Sequence, residues 1–329
     1  MKLLTREDIP EDAITVSPSQ IALFQRCAYK WYLSKKEGKQ EFRVTTEKMT
    51  LGTIFHKLLQ NYYNLYLDRP VELLSSQELV NLMERTQAEN GWTDYDSQLL
   101  FINAYTIFIT YMKWAARSEQ LIPVGTEVET FAPTGLRSNS FTGSRPIYLH
   151  GILDLVAERN GALGTVDHKT HTRRPWTVES IVFDIQTNFY PMLVALQGIE
   201  IEWAMISTID MWLPKNNVHE ALQREERFQR YILKRSMMSL EAYKDEIFKV
   251  IKQMWCDPTF QYTRRLDKFC SGCGFSELCM TYLQGLDFTE LMDSKFESTT
   301  MEVQEFDAQV FLGDVDSPDA SSYPVLDDN

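Results

Sequence analysis

The sequence lacks a long apolar run, a dense set of cysteines and an excess of basic charge. Its most apolar segment, from Leu99 to Met112, is interrupted by polar side chains, which indicates a buried amphipathic helix and not a membrane span. Five cysteines in 329 residues are too few for a secreted disulfide scaffold. Charges at Lys2, Arg6 and Glu7 interrupt the region where a signal peptide is apolar. We therefore expect a cytoplasmic protein in a reducing compartment, without a membrane partner.

The acidic charge of the chain is concentrated in one segment. The net charge of −13 by itself argues against a nucleic-acid partner. Residues 287–329, however, contain twelve acidic residues and one lysine, so the preceding part of the chain is nearly neutral. Residues 213–270 contain twelve lysines and arginines against eight acidic residues, and the folded part could therefore present a basic face. The composition predicts that 287–329 is a disordered acidic tail.

Hydrophobic periodicity and turn residues predict an α/β fold. Helices are predicted from Ser17 onward, at 53–67, 76–89 and 96–117, around 183–197, and from Ser239 to about 254. Strands are predicted at 126–133, 145–159, 161–171 and 199–213, and 227–235 also has a strand pattern. We interpret residues 1–16 as an extended lead-in and 17–286 as a single domain.

Three cysteines in the stretch CSGCGFSELC have the spacing of metal ligands: Cys270, Cys273 and Cys279. The glycines between them allow tight turns, so three thiolates can face one ion or cluster. A site with four thiolates needs one more cysteine, for which Cys27 and Cys256 are the candidates. Three cysteines with a histidine would form a zinc site, and three unrelated cysteines are the remaining alternative. Zinc and an iron–sulfur cluster both accept four thiolates, and the spacing does not decide between them.

A second constellation lies on two neighbouring predicted strands. Asp154 and Asp167 could bind one Mg²⁺ or Mn²⁺ through oxygen and leave coordination positions for water and phosphate. Lys169 points to the same face of its strand as Asp167, where it could stabilise charge on a phosphate or orient an attacking water. The lysine could instead only pair with an aspartate, and Asp154 could cap a turn. Apolar neighbours place both aspartates inside strands, where an unpaired carboxylate is costly.

These motifs together resemble the PD-(D/E)XK nuclease superfamily, and more specifically its RecB-type and CRISPR-adaptation exonuclease branch. The opening S-x4-F-x2-C-x2-K-W-Y-L, the segment 52–56 with its histidine, and Q-T-N-F-Y at 186–190 are similar to motifs of that branch. The resemblance runs from about Ser17 to Tyr282 and implies a restriction-endonuclease-like core, in which helices flank a mixed central sheet. It also implies an N-terminal helical part and a C-terminal iron–sulfur cysteine cluster. A helical insertion at about 68–122 and the tail have no counterpart in it.

The resemblance assigns roles to individual residues. The metal ligands that it implies are His56, Asp154, Asp167 and the backbone carbonyl of His168. The catalytic side chains that it implies are Lys169, Asp167 and Asp154, with Gln186 and Tyr190 contacting substrate phosphate or supporting the lysine. Without the resemblance, a histidine on an apolar helix is an ordinary core residue, and the Gln–Tyr pair is one turn of helix surface.

Two further groups of residues are predicted to lie near the site. Glu127 and Glu129 share one face of the first predicted strand, and the resemblance implies that one of them supports the metal, although a solvated strand face is the alternative. Arg173, Arg174 and Trp176 follow the lysine strand. Basic residues beside an aromatic ring suit contact with a single DNA strand, and an exposed loop is the alternative.

For the cysteines, the resemblance implies a [4Fe–4S] cluster in which Cys27 joins Cys270, Cys273 and Cys279 and Cys256 is left over. The activity that it implies is that of a metal-dependent deoxyribonuclease. We expect an exonuclease on single-stranded DNA or duplex ends, acting in recombination, repair or DNA processing in a prokaryote or a phage-infected host.

Two alternatives to a nuclease remain open at this stage. One is a non-catalytic DNA-binding recombination accessory protein that retains the nuclease fold, and the other is a structural zinc protein. The acidic tail could cover the protein's own DNA groove, bind a basic partner protein or only increase solubility.

Overall fold

The structure is a computed structural model that describes residues 2–41, 51–90, 95–118, 120–139, 143–172, 176–213, 218–287 and 289–298. The helices are α1 (Pro18–Arg26), α2 (Ala28–Trp31), α3 (Leu51–Asn64), α4 (Ser76–Asn90), α5 (Tyr95–Arg117), α6 (Val178–Val182), α7 (Ile185–Ala195), α8 (Val218–Leu222), α9 (Met237–Ile251), α10 (Ser276–Leu283) and α11 (Thr289–Lys295). The strands are β1 (Ile14–Val16), β2 (Lys39–Glu41), β3 (Ile122–Arg137), β4 (Pro146–Arg159), β5 (Ala162–His171), β6 (Trp203–Asp210), β7 (Phe228–Lys234) and β8 (Phe296–Ser298). The predicted α/β fold is confirmed.

A six-stranded mixed sheet forms the centre of the fold. Its strands run in the order β1-β4-β5-β6-β7, and β3 pairs with the other edge of β4. The β4–β5 hairpin turns through Asn160 and Gly161, both with positive φ (54° and 79°), which is the two-residue turn that Asn-Gly favours. Strands β5 and β6 are parallel, and the connection between them carries α6 and α7. This arrangement is the predicted mixed sheet flanked by helices.

The sheet is forked along one edge of β4. At the start of β4, residues 147–149 pair with β1 in parallel, and near its end, residues 155–159 pair with β5 in antiparallel fashion. Between these two ladders, residues 150–154 have no strand partner on this edge within the described part of the chain. The fork therefore opens a gap in the middle of the sheet, immediately before the pair Leu155–Val166.

Two apolar cores cover the two faces of the sheet. Helices α3 and α5 pack on one face, where Phe55 lies edge-on to Tyr111 at 5.7 Å between ring centroids. Helices α7 and α9 pack on the other face, with Phe189 and Leu193 fully buried. The segment Gln98–Arg117 of α5 is long and apolar enough to span a membrane by length and composition. In this fold one side of the helix, with Phe108 and Tyr111, is buried in the core that contains α3, whereas Leu99 and Ile102 on another side are exposed, which fits the predicted amphipathic helix.

Three local predictions at the N-terminal end and near α9 need correction. The last residues of the lead-in 1–16 belong to the sheet of the domain predicted at 17–286, because Ile14 and Val16 are buried in β1, which pairs with β4. The first predicted helix is broken at Cys27, whose extended backbone (φ −156°) ends α1 while its sulfur accepts a hydrogen bond from the N–H of Lys30 and caps α2. The N-cap of α9 is Ser236 and not the predicted Ser239. The backbone N–H of Ser239 donates a hydrogen bond to the Ser236 hydroxyl.

The predicted start of a disordered tail at 287 is also wrong for its first residues. Helix α11 spans Thr289–Lys295, and β8 pairs with β2 in antiparallel fashion. Phe296 is buried and stacks on Phe275 at 5.0 Å between ring centroids, in a small apolar cluster with Leu33. Composition did not predict this ordered segment, because the burial of a single aromatic side chain, Phe296, is enough to order a short acidic segment. The rest of the predicted tail, 299–329, lies outside the described residues.

Candidate active site at the fork of the central sheet

The two aspartates predicted from the sequence meet at the fork. The β4–β5 ladder ends at Leu155 and Val166, so Asp154 and Asp167 are the first residues beyond it. Asp154 Oδ2 accepts a hydrogen bond of 2.7 Å from the backbone N–H of His168. The carboxylate thus occupies a position that a strand carbonyl would take in a continuous ladder.

A histidine and a glutamate join Asp154 in a group with metal-ligand geometry. Donor atoms of His56, Glu127 and Asp154 all lie within 4.8 Å of one another. The Nδ1 atom of His56 is 3.8 Å from Asp154 Oδ2, and both side chains are about nine-tenths buried. Two ligands at about 2.1 Å from one octahedral ion lie about 3–4 Å apart, so small adjustments would let this group hold Mg²⁺ or Mn²⁺.

The structure distinguishes the two candidate glutamates. Thr126 and Val128 pair with Leu155 and Leu153, which places Glu127 across from Asp154. Glu129 lies further along β3, and its carboxylate is 2.9 Å from His150 Nε2, away from the metal-ligand group. The backbone of Glu127 has φ of 45°, a conformation that non-glycine residues rarely adopt and that is enriched at functional sites. The choice of Glu127 follows from the register of β3 against β4, which the sequence did not predict.

Lys169 is the centre of a hydrogen-bonded chain that leads into α7. Its Nζ atom lies 2.9 Å from Asp167 Oδ2 and donates a hydrogen bond to Gln186 Oε1. Gln186 Nε2 in turn donates to the hydroxyl of Tyr190 at 2.9 Å. The Gln–Tyr pair therefore supports the lysine, one of the two roles left open by the sequence. Only 13 % of the Lys169 side chain is exposed, so its position is tightly constrained.

Burial dominates the electrostatics of the site. It raises the pKa of Asp154 to about 6 and that of Asp167 to about 7, although the nearby Lys169 opposes both shifts. Burial also disfavours the charged lysine, but the neighbouring carboxylates, Asp167 first among them, outweigh it and raise the pKa of Lys169. The lysine is therefore a cation at neutral pH. It is suited to stabilise negative charge and not to remove a proton.

His168 contributes its backbone to the site and its ring to the core. The ring lies flat against Tyr63, with 5.7 Å between ring centroids, and edge-on to His56 at 6.3 Å. Burial lowers the pKa of His168 well below its ordinary value, and the charges of His56 and Arg230 add to this. The ring is thus neutral at physiological pH. That its backbone carbonyl binds metal stays a prediction.

Sequence reasoning missed Asp184, which lies at the N-cap of α7. Its carboxylate accepts hydrogen bonds of 2.9 Å from both the backbone N–H and the hydroxyl of Thr187. It also raises the pKa values of Asp167 and Lys169 electrostatically, after the larger effects named above. The signal was available, since D-x-x-T before an apolar helix is a capping pattern. Its nearness to the lysine depends on the fold.

The predicted DNA-contact residues are described only in part. The Trp176 ring centroid is 5.9 Å from Lys169 Nζ, so this side chain lies beside the site. Arg173 and Arg174 lie outside the described residues.

Gly151 allows α7 to approach the sheet closely. Replacing it tests whether Tyr190 and Gln186 of α7 hold Lys169 in position. A Cβ atom at this position would lie 2.9 Å from Leu193 Cδ2 and 3.0 Å from Tyr190 Cε1. We expect Gly151→Ala to shift Tyr190, to lower the free energy of unfolding by about 1–2 kcal/mol and to reduce any activity of the site about tenfold. Gly161→Ala is the control, because its positive φ costs about 1 kcal/mol without touching α7. Equal activity losses in both variants, measured beside urea unfolding, would contradict the expectation.

The four cysteines predicted to hold a cluster lie in one region of the fold, although Cys27 is near the N-terminus and Cys270, Cys273 and Cys279 are near the other end of the chain. Burial raises the pKa of the Cys279 thiol, Arg264 opposes this through its charge and a hydrogen bond, and the sulfurs of Cys273 and Cys27 are close enough to add to the rise. Cys270 belongs to the same turn, because its carbonyl accepts the N–H of Cys273. No three of these sulfurs lie within 4.8 Å of one another in the described part of the chain. The thiols are therefore neighbours that do not form a closed ligand set.

Comparison with known proteins identifies the family. Residues 15–280 match the family model of the PD-(D/E)XK nuclease superfamily. No curated protein matches the sequence significantly. Among solved structures, SSO0001 shares 15 % identity with a TM-score of 0.30 and aligns over 71 % of this chain and 97 % of its own. A "putative exonuclease" from Eubacterium rectale shares 12 % identity with a TM-score of 0.37, over 77 % of this chain and 86 % of its own.

The family match, and not these structural similarities, identifies the chain. The matched segment covers most of the chain, from β1 to α10, and includes every residue of the fork. The chain therefore belongs to the PD-(D/E)XK nuclease superfamily.

Proposed function

We propose that the protein is a metal-dependent deoxyribonuclease, and that it acts as an exonuclease on single-stranded DNA or duplex ends. The observation that carries the proposal is the meeting of Asp154, Asp167 and Lys169 at one fork, with His56 and Glu127 in reach of Asp154. A set of buried carboxylates beside a fixed cation suits phosphodiester hydrolysis. Membership of a nuclease superfamily supports the reaction class.

The chemistry follows from the charges and supports of the site. His56, Glu127 and Asp154 would hold Mg²⁺ or Mn²⁺, with Asp167 adjacent. When bound, the ion supplies Lewis-acid polarisation of the phosphate and lowers the pKa of bound water. Lys169 offers a fixed positive charge to the phosphate oxygens, and Gln186 keeps its ammonium group in place.

Cleavage of end-labelled DNA tests this proposal. We expect anaerobically purified protein to release nucleotides from single- or double-stranded DNA with Mg²⁺ or Mn²⁺. We expect the cleavage rate of Lys169→Ala to be at least about 100-fold lower, because the lysine charge stabilises the transition state. Lys249→Ala is the matched control, since Lys249 is exposed on α9. The band pattern separates exonuclease from endonuclease action.

The competing function is a non-catalytic DNA-binding accessory protein. Equal cleavage by wild type and Lys169→Ala would refute the assignment of the site. DNA binding without cleavage by the wild type would favour the accessory role, and a colourless, zinc-bearing protein without nuclease activity would favour a structural zinc protein.

We further propose that Cys27, Cys270, Cys273 and Cys279 hold a [4Fe–4S] cluster. One zinc ion with bonds of about 2.3 Å needs sulfurs about 4 Å apart, whereas a cubane of four irons separates its cysteines more widely. Neighbouring sulfurs that are not in mutual close contact fit the wider arrangement. The guanidinium of Arg264 lies 3.8 Å and 3.7 Å from the ring centroids of Tyr29 and Tyr282, which fixes a positive charge beside the thiols. That charge suits a negatively charged cluster.

We propose a cytoplasmic location and a further partner for the acidic segment. Reduced cysteines suit the cytoplasm. The acidic segment 299–329 is proposed to dock on a basic partner protein or on the protein's own DNA-binding face, and deleting it while measuring DNA affinity and partner binding tests both.

A further inference from the structure

The His168 side chain lies between the strand that carries the lysine and the helix that carries the candidate histidine ligand. Because side chains alternate along β5, Asp167 and Lys169 face α7, whereas the His168 ring faces α3 and α5. The residue is only 4 % exposed. Neither of its ring nitrogens has a hydrogen-bond partner within the described part of the chain. The ring therefore acts on its neighbours by packing.

The ring contacts α3 at two points on one face of the helix. It stacks on Tyr63 at an interplanar angle of 16°, with 5.7 Å between ring centroids. It also lies edge-on to His56, with 6.3 Å between centroids. His56 and Tyr63 are seven residues apart, which is about two helical turns and places both on the same face. The His168 ring thus restrains the part of α3 that presents His56 to the fork.

The stacking partner of His168 is itself held in place. The hydroxyls of Tyr63 and Tyr111 share a hydrogen bond of 2.8 Å, which joins α3 to α5. The Tyr111 ring lies edge-on to His168, with 6.3 Å between centroids, and its hydroxyl accepts a hydrogen bond of 3.4 Å from Arg230 of β7. All three rings are buried and closely packed, so one of them cannot move without displacing another.

The backbone of the same residue contacts the other side of the metal-ligand group. The His168 N–H donates a hydrogen bond of 2.7 Å to Asp154 Oδ2, and that oxygen lies 3.8 Å from His56 Nδ1. One residue therefore contacts two candidate ligands, the aspartate through its backbone and the histidine through its ring. Outer contacts of this kind orient metal ligands and tune metal affinity.

We propose that the His168 ring is a positioning residue, which sets the separation of His56 from Asp154 and thereby the affinity of the site for its divalent cation. The inference rests on the proposed metal-dependent function and adds to it a side chain that is not in the group of ligand atoms. A smaller side chain would leave a gap between Tyr63 and the sheet, and α3 would shift towards it. His56 would then no longer be aligned with Asp154.

Titration of metal-free protein with Mn²⁺, in which the EPR signal of the free ion is counted, tests the inference without cleavage. We expect His168→Ala to weaken Mn²⁺ binding about 10- to 100-fold, and His168→Phe, which restores an aromatic ring, to recover most of that loss. Tyr63→Leu removes the ring on which His168 stacks and should weaken binding about tenfold.

Phe108→Leu is the matched control for the substitutions in this core. Phe108 is fully buried in the same core, and its ring packs on Phe55, Tyr62 and Tyr105. Its replacement should lower the free energy of unfolding as Tyr63→Leu does but change Mn²⁺ affinity by no more than about twofold. Urea unfolding of each variant measures the first quantity.

Pulsed EPR of the Mn²⁺-loaded protein separates positioning from a general loss of stability. A nitrogen bound to Mn²⁺ modulates the electron spin echo, so the wild type should show a histidine nitrogen that His56→Ala lacks. We expect folded His168→Ala to lose most of this modulation and His168→Phe to regain it.

Unchanged Mn²⁺ affinity and modulation in folded His168→Ala would overturn the inference and make the ring an ordinary core residue. If His168→Ala does not fold, the comparison of Tyr63→Leu with Phe108→Leu provides the test, and equal affinities in these two variants would overturn the inference. If the wild type binds no Mn²⁺, the proposed metal-dependent function fails as well.

Discussion

Replacing Asp154 by asparagine is expected to abolish metal-dependent cleavage and, at the same time, to stabilise the metal-free protein at neutral and alkaline pH. Asparagine keeps the oxygen that accepts the N–H of His168 but removes the charge that completes the group with His56 and Glu127. Loss of one metal ligand should reduce cleavage by about 1000-fold or more. The stability gain follows because a buried carboxylate is costly in the absence of metal.

The pH dependence of that gain has a defined sign. The folded-state pKa of Asp154 is raised to about 6 by burial, above the ordinary value of 3.8 for an aspartate. The folded state therefore holds the proton more tightly than the unfolded chain does. Stability from this group is greatest below about pH 4 and is lost as pH rises through about 6. A shift of about two pKa units corresponds to on the order of 3 kcal/mol, so Asp154→Asn should gain up to that amount at about pH 8 and almost nothing at about pH 4.

Urea unfolding of chelator-treated protein at both pH values, beside a cleavage assay, measures the two effects. Asp245→Asn removes the same charge from an exposed position and should change neither quantity. Stabilisation of the wild type by Mn²⁺ should also weaken below about pH 6, because protons then compete for Asp154. A variant that loses activity and also loses stability at alkaline pH would indicate that the carboxylate is structural.

Replacing Cys279 by alanine is expected to remove the proposed cluster and to destabilise the whole domain. Cys27 precedes α2, whereas Cys279 lies in α10, so a shared cluster closes a loop of more than two hundred residues. Cross-links that close loops of this size restrict the unfolded chain by about 5 kcal/mol in the chain-entropy model. We expect loss of bound iron, of acid-labile sulfide and of visible colour, together with a large fall in the unfolding temperature. Cys27→Ala should have the same effect.

Cys256→Ala is the matched control for the cysteine series. Cys256 is half-buried, packs against the core of α7 and α9, and has its thiol pKa raised by burial, as expected for an ordinary packing residue. Its replacement should keep iron and colour and cost only about 1 kcal/mol. Iron retained in Cys27→Ala but lost in Cys256→Ala would mean that Cys256, and not Cys27, is the fourth cluster ligand. Zinc without iron in anaerobically prepared wild type would contradict the cluster itself.

The candidate site shows how far sequence reasoning reaches. The spacing of Asp167 and Lys169 was sufficient to predict a shared strand face, because side chains alternate strictly along a strand, and the structure brings the two within 2.9 Å. It was not sufficient to choose between Glu127 and Glu129, because that choice depends on the register of β3 against β4. Register is a property of the pair, here with shifts between Pro123 and Gly125 and between Pro133 and Arg137, and leaves no mark in either strand alone.

Local pattern by itself determined the order of the longer helices and strands, the paired aspartates with their lysine and the three closely spaced cysteines. These features depend on spacings of a few residues, which follow from helix and strand geometry. Only the tertiary structure decided that β1 joins the sheet, that β4 forks at Asp154, that the chain bends at Cys27 and that His168 stacks on Tyr63. The bend at Cys27 is local, closed by the hydrogen bond from the Lys30 N–H to Cys27 Sγ. The others depend on contacts between segments far apart in the chain, where burial and pairing outweigh local preference.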